Sequence, residues 1–63
     1  MPDITWSDPF CAEAVNCFRL GVDADGNAYI ALNGAEDVYL TDTHDALRQM
    51  IADIKAGKAD HLL

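Results

Sequence analysis

The sequence predicts an α+β domain, a three-stranded antiparallel β-meander packed on one C-terminal helix, and three observations carry that prediction. Two stretches alternate apolar with polar or small residues across a turn-rich cluster, a third short apolar run follows a second turn signal, and the last third of the chain changes to a helical period. The strands are expected at about 17–23, 28–33 and 38–41 and the helix at about 43–56, with room for the N-terminal segment to add a short strand.

In the first stretch Phe18, Leu20 and Val22 fall on one side and Cys17, Arg19 and Gly21 on the other, the period of a half-buried strand. Asp23-Ala24-Asp25-Gly26-Asn27 then supplies the left-handed backbone positions that a tight connection needs. Ala28 to Leu32 alternates again, with Ile30 and Leu32 opposed to Tyr29 and Ala31. Asn33-Gly34 marks the second turn, after which Val38 and Leu40 of Val38-Tyr39-Leu40-Thr41 are positioned to join Ile30 and Leu32.

From Thr43 onward Leu47, Met50, Ile51 and Ile54 recur at i, i+3, i+4 and i+7, a single apolar stripe on a helix. Asp42 or Thr43 is its expected cap and Asp45 suits the positive end of the dipole. Gly57 between Lys55 and Lys58 closes it. The apolar sheet face and the helix stripe are expected to cover each other, burying about eight aliphatic side chains, while Ile4, Trp6 and Phe10 are too bulky to be left in water.

With 63 residues there is room for one domain spanning 1–63 and one small core. Eleven Asp and Glu against four Lys and Arg give a formal net charge of -7, which argues against binding nucleic acid or anionic lipid and for a basic protein partner. No apolar run approaches a membrane span, and Met1-Pro2-Asp3 lacks the features of a secretory signal, so a cytoplasmic protein is expected. In that reducing compartment Cys11 and Cys17 are expected as buried thiols, with a disulfide the exception.

Chemistry-bearing motifs are absent at the spacings they require. The Asp23 to Asn27 run resembles a calcium loop, but its glycine comes at the fourth position and a strand follows at once. Cys11, Cys17, His44 and His61 are zinc ligand types without a Cys-x-x-Cys or a His-x-x-x-His pair. Nothing brings a cysteine nucleophile to a histidine. The expectation is therefore a protein that is not an enzyme and takes no metal or cofactor. The candidate interaction residues are Arg19, Tyr29 and Tyr39, projecting from the sheet face away from the helix, joined by Trp6 and by Glu36 and Asp37. Glu36 and Asp37 belong to an acidic rim that also includes Asp23, Asp25, Asp42 and Asp45.

Trp6-Ser7, Cys17-Phe18, Asp25-Gly26, Tyr29 to Leu32, Leu40-Thr41 and Lys55-Ala56-Gly57 with Asp60 together resemble the bacterial domain-of-unknown-function family 397 (DUF397) over almost the full length. Leu32-Asn33 stands where that family usually has Arg-Asp, and Leu47 where it has a Trp. The resemblance implies a small cytoplasmic protein that acts with a helix-turn-helix transcriptional regulator in developmental or toxin-antitoxin-like control. Two alternatives stay open: a zinc- or thiol-dependent structural module built on Cys11 and Cys17, and a self-associating subunit, such as a homodimer, formed through exposed sheet edges.

Overall fold

The structure is a computed structural model that describes residues 3–11 and 17–63. In chain order its elements are β1 (Thr5–Trp6), β2 (Phe18–Val22), β3 (Asn27–Leu32), β4 (Tyr39–Thr43), α1 (His44–Lys55) and a final 3-10 turn, Asp60–Leu62. The strands form one antiparallel sheet in the order β1-β2-β3-β4, and α1 packs on it. This is the α+β meander and C-terminal helix that the alternation and the helical period predict, with a short N-terminal strand as the fourth member.

Register follows the pattern of the side chains. Leu20 pairs with Ile30 and Ile30 with Leu40, so Phe18, Leu20, Val22, Ala28, Ile30, Leu32 and Leu40 share one side of the sheet. Gly21 pairs with Tyr29 and with Trp6, and Tyr29 with Thr41, which puts Trp6, Arg19, Gly21, Tyr29, Ala31 and Tyr39 on the other side.

No loop separates β4 from α1. Thr43 is the last strand residue and also the helix cap, held extended at φ -71° and ψ 154° while its Oγ1 accepts the Ala46 N–H at 3.1 Å. The His44 N–H donates to the Gly26 carbonyl at 2.7 Å, fixing the helix start against the β2–β3 turn. At the other end Gly57 takes φ 91°, and the N–H groups of Gly57 and Lys58 donate to Ile54 and Asp53, a Schellman closure that satisfies two end carbonyls.

That direct entry decides where the core lies. A helix of twelve residues, about 18 Å long, folds back over Ala28 and Ile30, with Leu40 at its margin, and buries Leu47 there. The expected burial of eight aliphatic side chains is not reached. Leu40 remains 73% exposed, Leu32 41% and Ile54 50%. The tightest packing is instead on the side away from the helix, where Cys17, Gly21, Tyr29 and Ala31 are all buried.

Candidate interaction surfaces

The sheet side opposite the helix brings the predicted site residues together. Tyr29 stands at its centre, with the Trp6 ring 6.3 Å away and tilted and the Tyr39 ring 4.9 Å away edge-on, both favourable aromatic arrangements. Trp6 is half-buried and Tyr39 partly exposed, while Tyr29 retains only 5% of its surface. Arg19 donates from Nε to the Ser7 carbonyl at 2.8 Å and from Nη1 to Glu36 Oε2 at 2.7 Å. Glu36 Oε1 in turn accepts the Gly34 N–H at 2.9 Å. Asp37 is exposed in the same β3–β4 connection. Five of the six residues thus bond or pack among themselves, and Tyr29 in particular offers little surface to a partner.

Asp23 holds this face to the β2–β3 turn, a role that the sequence did not single out. Its Oδ1 accepts the N–H groups of Asp25 and Asn27 at 2.9 and 3.0 Å; its Oδ2 accepts Asn27 Nδ2 at 3.1 Å and the Tyr29 hydroxyl at 2.5 Å. The Tyr29 hydroxyl, followed by the turn N–H groups, lowers the Asp23 pKa from its ordinary 3.8 to about 2. The Arg19 hydrogen bond lowers that of Glu36, and the Asp23 carboxylate raises that of Tyr29.

The signs give a pH profile. Carboxylates with depressed folded pKa values contribute stability that is complete above their unfolded values and lost as pH falls through the folded ones. A phenol with a raised folded pKa contributes stability that is complete below its unfolded value, about 10, and lost above it. Melting temperature measured against pH is therefore expected to be flat near neutrality, to fall between about pH 4 and pH 2, and to fall again above about pH 10. In Asp23→Asn both flanks shrink.

The cysteines overturn the expectation of two thiols. Cys11 and Cys17 form a disulfide with their Cα atoms 5.3 Å apart. The ladder accounts for it: Phe10 bridges Phe18 and donates its N–H to the Phe18 carbonyl at 2.8 Å, which sets Cys11 directly opposite Cys17 as the next cross-strand pair. The signal was present in the sequence as the mirrored pairs Phe10-Cys11 and Cys17-Phe18. With both sulfurs bonded to each other, neither is a thiolate ligand for zinc, and among the described residues no three His, Cys, Asp or Glu side chains gather as a metal site. None of the described helices is long and apolar enough to cross a membrane.

Among the described residues two accessible surfaces stand out. At one end of the strands the tether between His44 and Gly26 and the pairing of Ala28 with Asp42 bring the β2–β3 turn beside the helix start, so that exposed Asp25, Asp42 and Asp45 converge there. Asp45 also accepts from Arg48 Nη1 at 3.2 Å. At the other end, on the helix side of the sheet, Phe10, Phe18, Leu32 and Leu40 lie uncovered, with exposed Val38 ahead of Leu40. The molecule thus carries an acidic end and an apolar end. No protein-family model matches the chain, and no curated protein or solved structure matches it either.

Proposed function

We propose that this chain is a non-catalytic accessory protein that binds a basic protein partner through its acidic end. The observation that carries the reading is the convergence of exposed Asp25, Asp42 and Asp45 at the β2–β3 turn and helix start of a chain with net charge -7. Such a field speeds encounter with a positively charged surface and repels phosphate backbones. A helix-turn-helix transcriptional regulator is the specific partner that the sequence resemblance names, and its DNA-binding face has the required charge. Half-buried Trp6 supplies aromatic surface on the face away from the helix, with Tyr39 at the far end of β4, whereas the Arg19–Glu36 pair and Tyr29 serve the fold. The disulfide bears on location. A cytoplasmic chain meets reducing conditions, so a cytoplasmic role belongs to the form with two thiols and an oxidising compartment to the bonded one.

Co-expression with helix-turn-helix regulators of the same genome, followed by co-purification, tests the proposal. Association is expected at about 50 mM salt and is expected to weaken by at least tenfold at about 500 mM, where the screening length falls below 5 Å. The triple variant Asp25→Asn, Asp42→Asn, Asp45→Asn should weaken it comparably at low salt. Absence of association at low salt overturns the reading.

A further inference from the structure

We propose that the apolar end of the sheet is the contact surface of a two-fold homodimer, in which Phe10, Phe18, Leu32 and Leu40 of one copy pack face to face on the same side chains of a second copy. On this side of the sheet Phe10 is 65% exposed, Phe18 66% and Leu40 73%, values that single scattered residues reach on ordinary surfaces but a contiguous cross-strand set does not. The set is contiguous because Phe10 bridges Phe18, Phe18 pairs with Leu32, and Ile30 beneath them pairs with Leu40.

The occupant follows from area and from charge. Two phenylalanines of about 200 Å² each, roughly two-thirds exposed, together with Leu32, Leu40 and neighbouring Val38, present on the order of 500 Å² of apolar surface per copy. An isologous pairing removes twice that, on the order of 1,000 Å², which reaches the lower bound for a specific interface before any rim is counted. The described strands offer a basic partner little counter-charge on this side, exposed Asp37 lying in the connection ahead of Val38. Asp42 is the sole acidic residue that the described strands place on this side, and it sits beside Ala28 at the helix end.

Self-repulsion between two chains of charge -7 does not forbid the pairing. The β2–β3 turn is separated from Phe18 and Leu32 by the length of β3, six residues or about 20 Å, beyond the screening length of about 8–10 Å near physiological salt; of the acidic end Asp42 is nearer, two residues or about 7 Å from Leu40. Two sheets packed about 10 Å apart leave each helix at the outer end of the dimer.

Sedimentation equilibrium of the purified chain at concentrations up to about 200 μM and at 50 and 500 mM sodium chloride tests the dimer. The expected mass at the highest concentration is twice the 6.9 kDa of one chain. The dissociation constant is expected to fall severalfold at the higher salt, because screening relieves repulsion while burial is retained. This is the opposite sign from the salt response of a basic partner, so each proposal can fail without the other.

Leu40→Asp, at a position so exposed that folding should survive, is expected to raise the dissociation constant by at least tenfold with the circular dichroism spectrum unchanged. Phe18→Asp should do the same from the other side of the patch, and Ala24→Asp, in the exposed β2–β3 turn at the far end of these strands, should not. A monomer at all concentrations in both salts overturns the proposal. So does a dimer that persists in folded Leu40→Asp and Phe18→Asp.

Discussion

Reduction of the Cys11–Cys17 bond is expected to lower the melting temperature by on the order of 10 °C. The residues are six apart, so the bond closes one of the shortest loops for which chain-entropy reasoning applies, and that reasoning assigns it about 2 kcal/mol. In a large protein such a term would be minor. Here the core has no side chain less than 2% exposed among the described residues, and a domain of 60 to 100 residues moves about 4–8 °C per kcal/mol. The bond also has a local task, since it locks the Phe10–Phe18 bridge and, through it, the course of the N-terminal segment along β2.

Thermal unfolding followed by circular dichroism, with and without a non-thiol reductant and in the double variant Cys11→Ala, Cys17→Ala, measures the effect. A melting temperature that does not change on reduction would show that the ladder alone holds this segment. Because Phe10 is one of the side chains at the apolar end, the reduced chain should also dimerise less tightly than the oxidised one.

How much of this was legible beforehand differs from one feature to the next. The period of two in Phe18 to Val22 and in Ala28 to Leu32 fixes the faces, and the ladder reproduces them residue by residue. The stripe through Leu47, Met50, Ile51 and Ile54 placed the helix to within a residue or two at each end. What periodicity does not contain is coverage. A stripe and a face show that two elements can meet, but the absent loop between Thr43 and His44 determines over which part of the sheet they meet.

The sequence therefore placed Trp6, Arg19, Tyr29 and Tyr39 on the correct side of the sheet and misjudged which side was closed. Small residues explain the difference. Gly21 and Ala31 beside Tyr29 leave space for rings to settle into the sheet, whereas the helix side presents mostly Leu, Ile, Val and Phe to a helix too short to cover them all. The disulfide is legible only in the mirrored pairs Phe10-Cys11 and Cys17-Phe18, which suit an antiparallel bridge, whereas a reducing compartment argues for two thiols.

Gly21→Ala is expected to destabilise the domain by about 1–3 kcal/mol, against the usual direction of a Gly→Ala change within a strand. A methyl group at Gly21 would lie 2.7 Å from Trp6 Cε3, 2.8 Å from Ile4 Cγ2 and 3.1 Å from Trp6 Cδ2, closer than carbon atoms approach without displacement. Neither neighbour yields freely. The indole is a rigid ring lodged against Tyr29, and Ile4 directly precedes the two-residue strand that carries Trp6, so relief requires β1 to lift from β2. This is the close approach that glycine in a strand interior permits.

Trp6 is the chain's single tryptophan, so its fluorescence reports on the site directly. In Gly21→Ala its emission should shift to longer wavelength as the ring gains water, along with the lower midpoint in urea. A cycle with Trp6→Ala separates the clash from any general intolerance of alanine at this position. If the ring is the obstacle, Gly21→Ala should lose most of its effect when Trp6 is already alanine. Additive effects of the two substitutions would instead place the obstacle in Ile4 or in the strand backbone, and would remove Trp6 from the role of the lid that closes this side of the sheet.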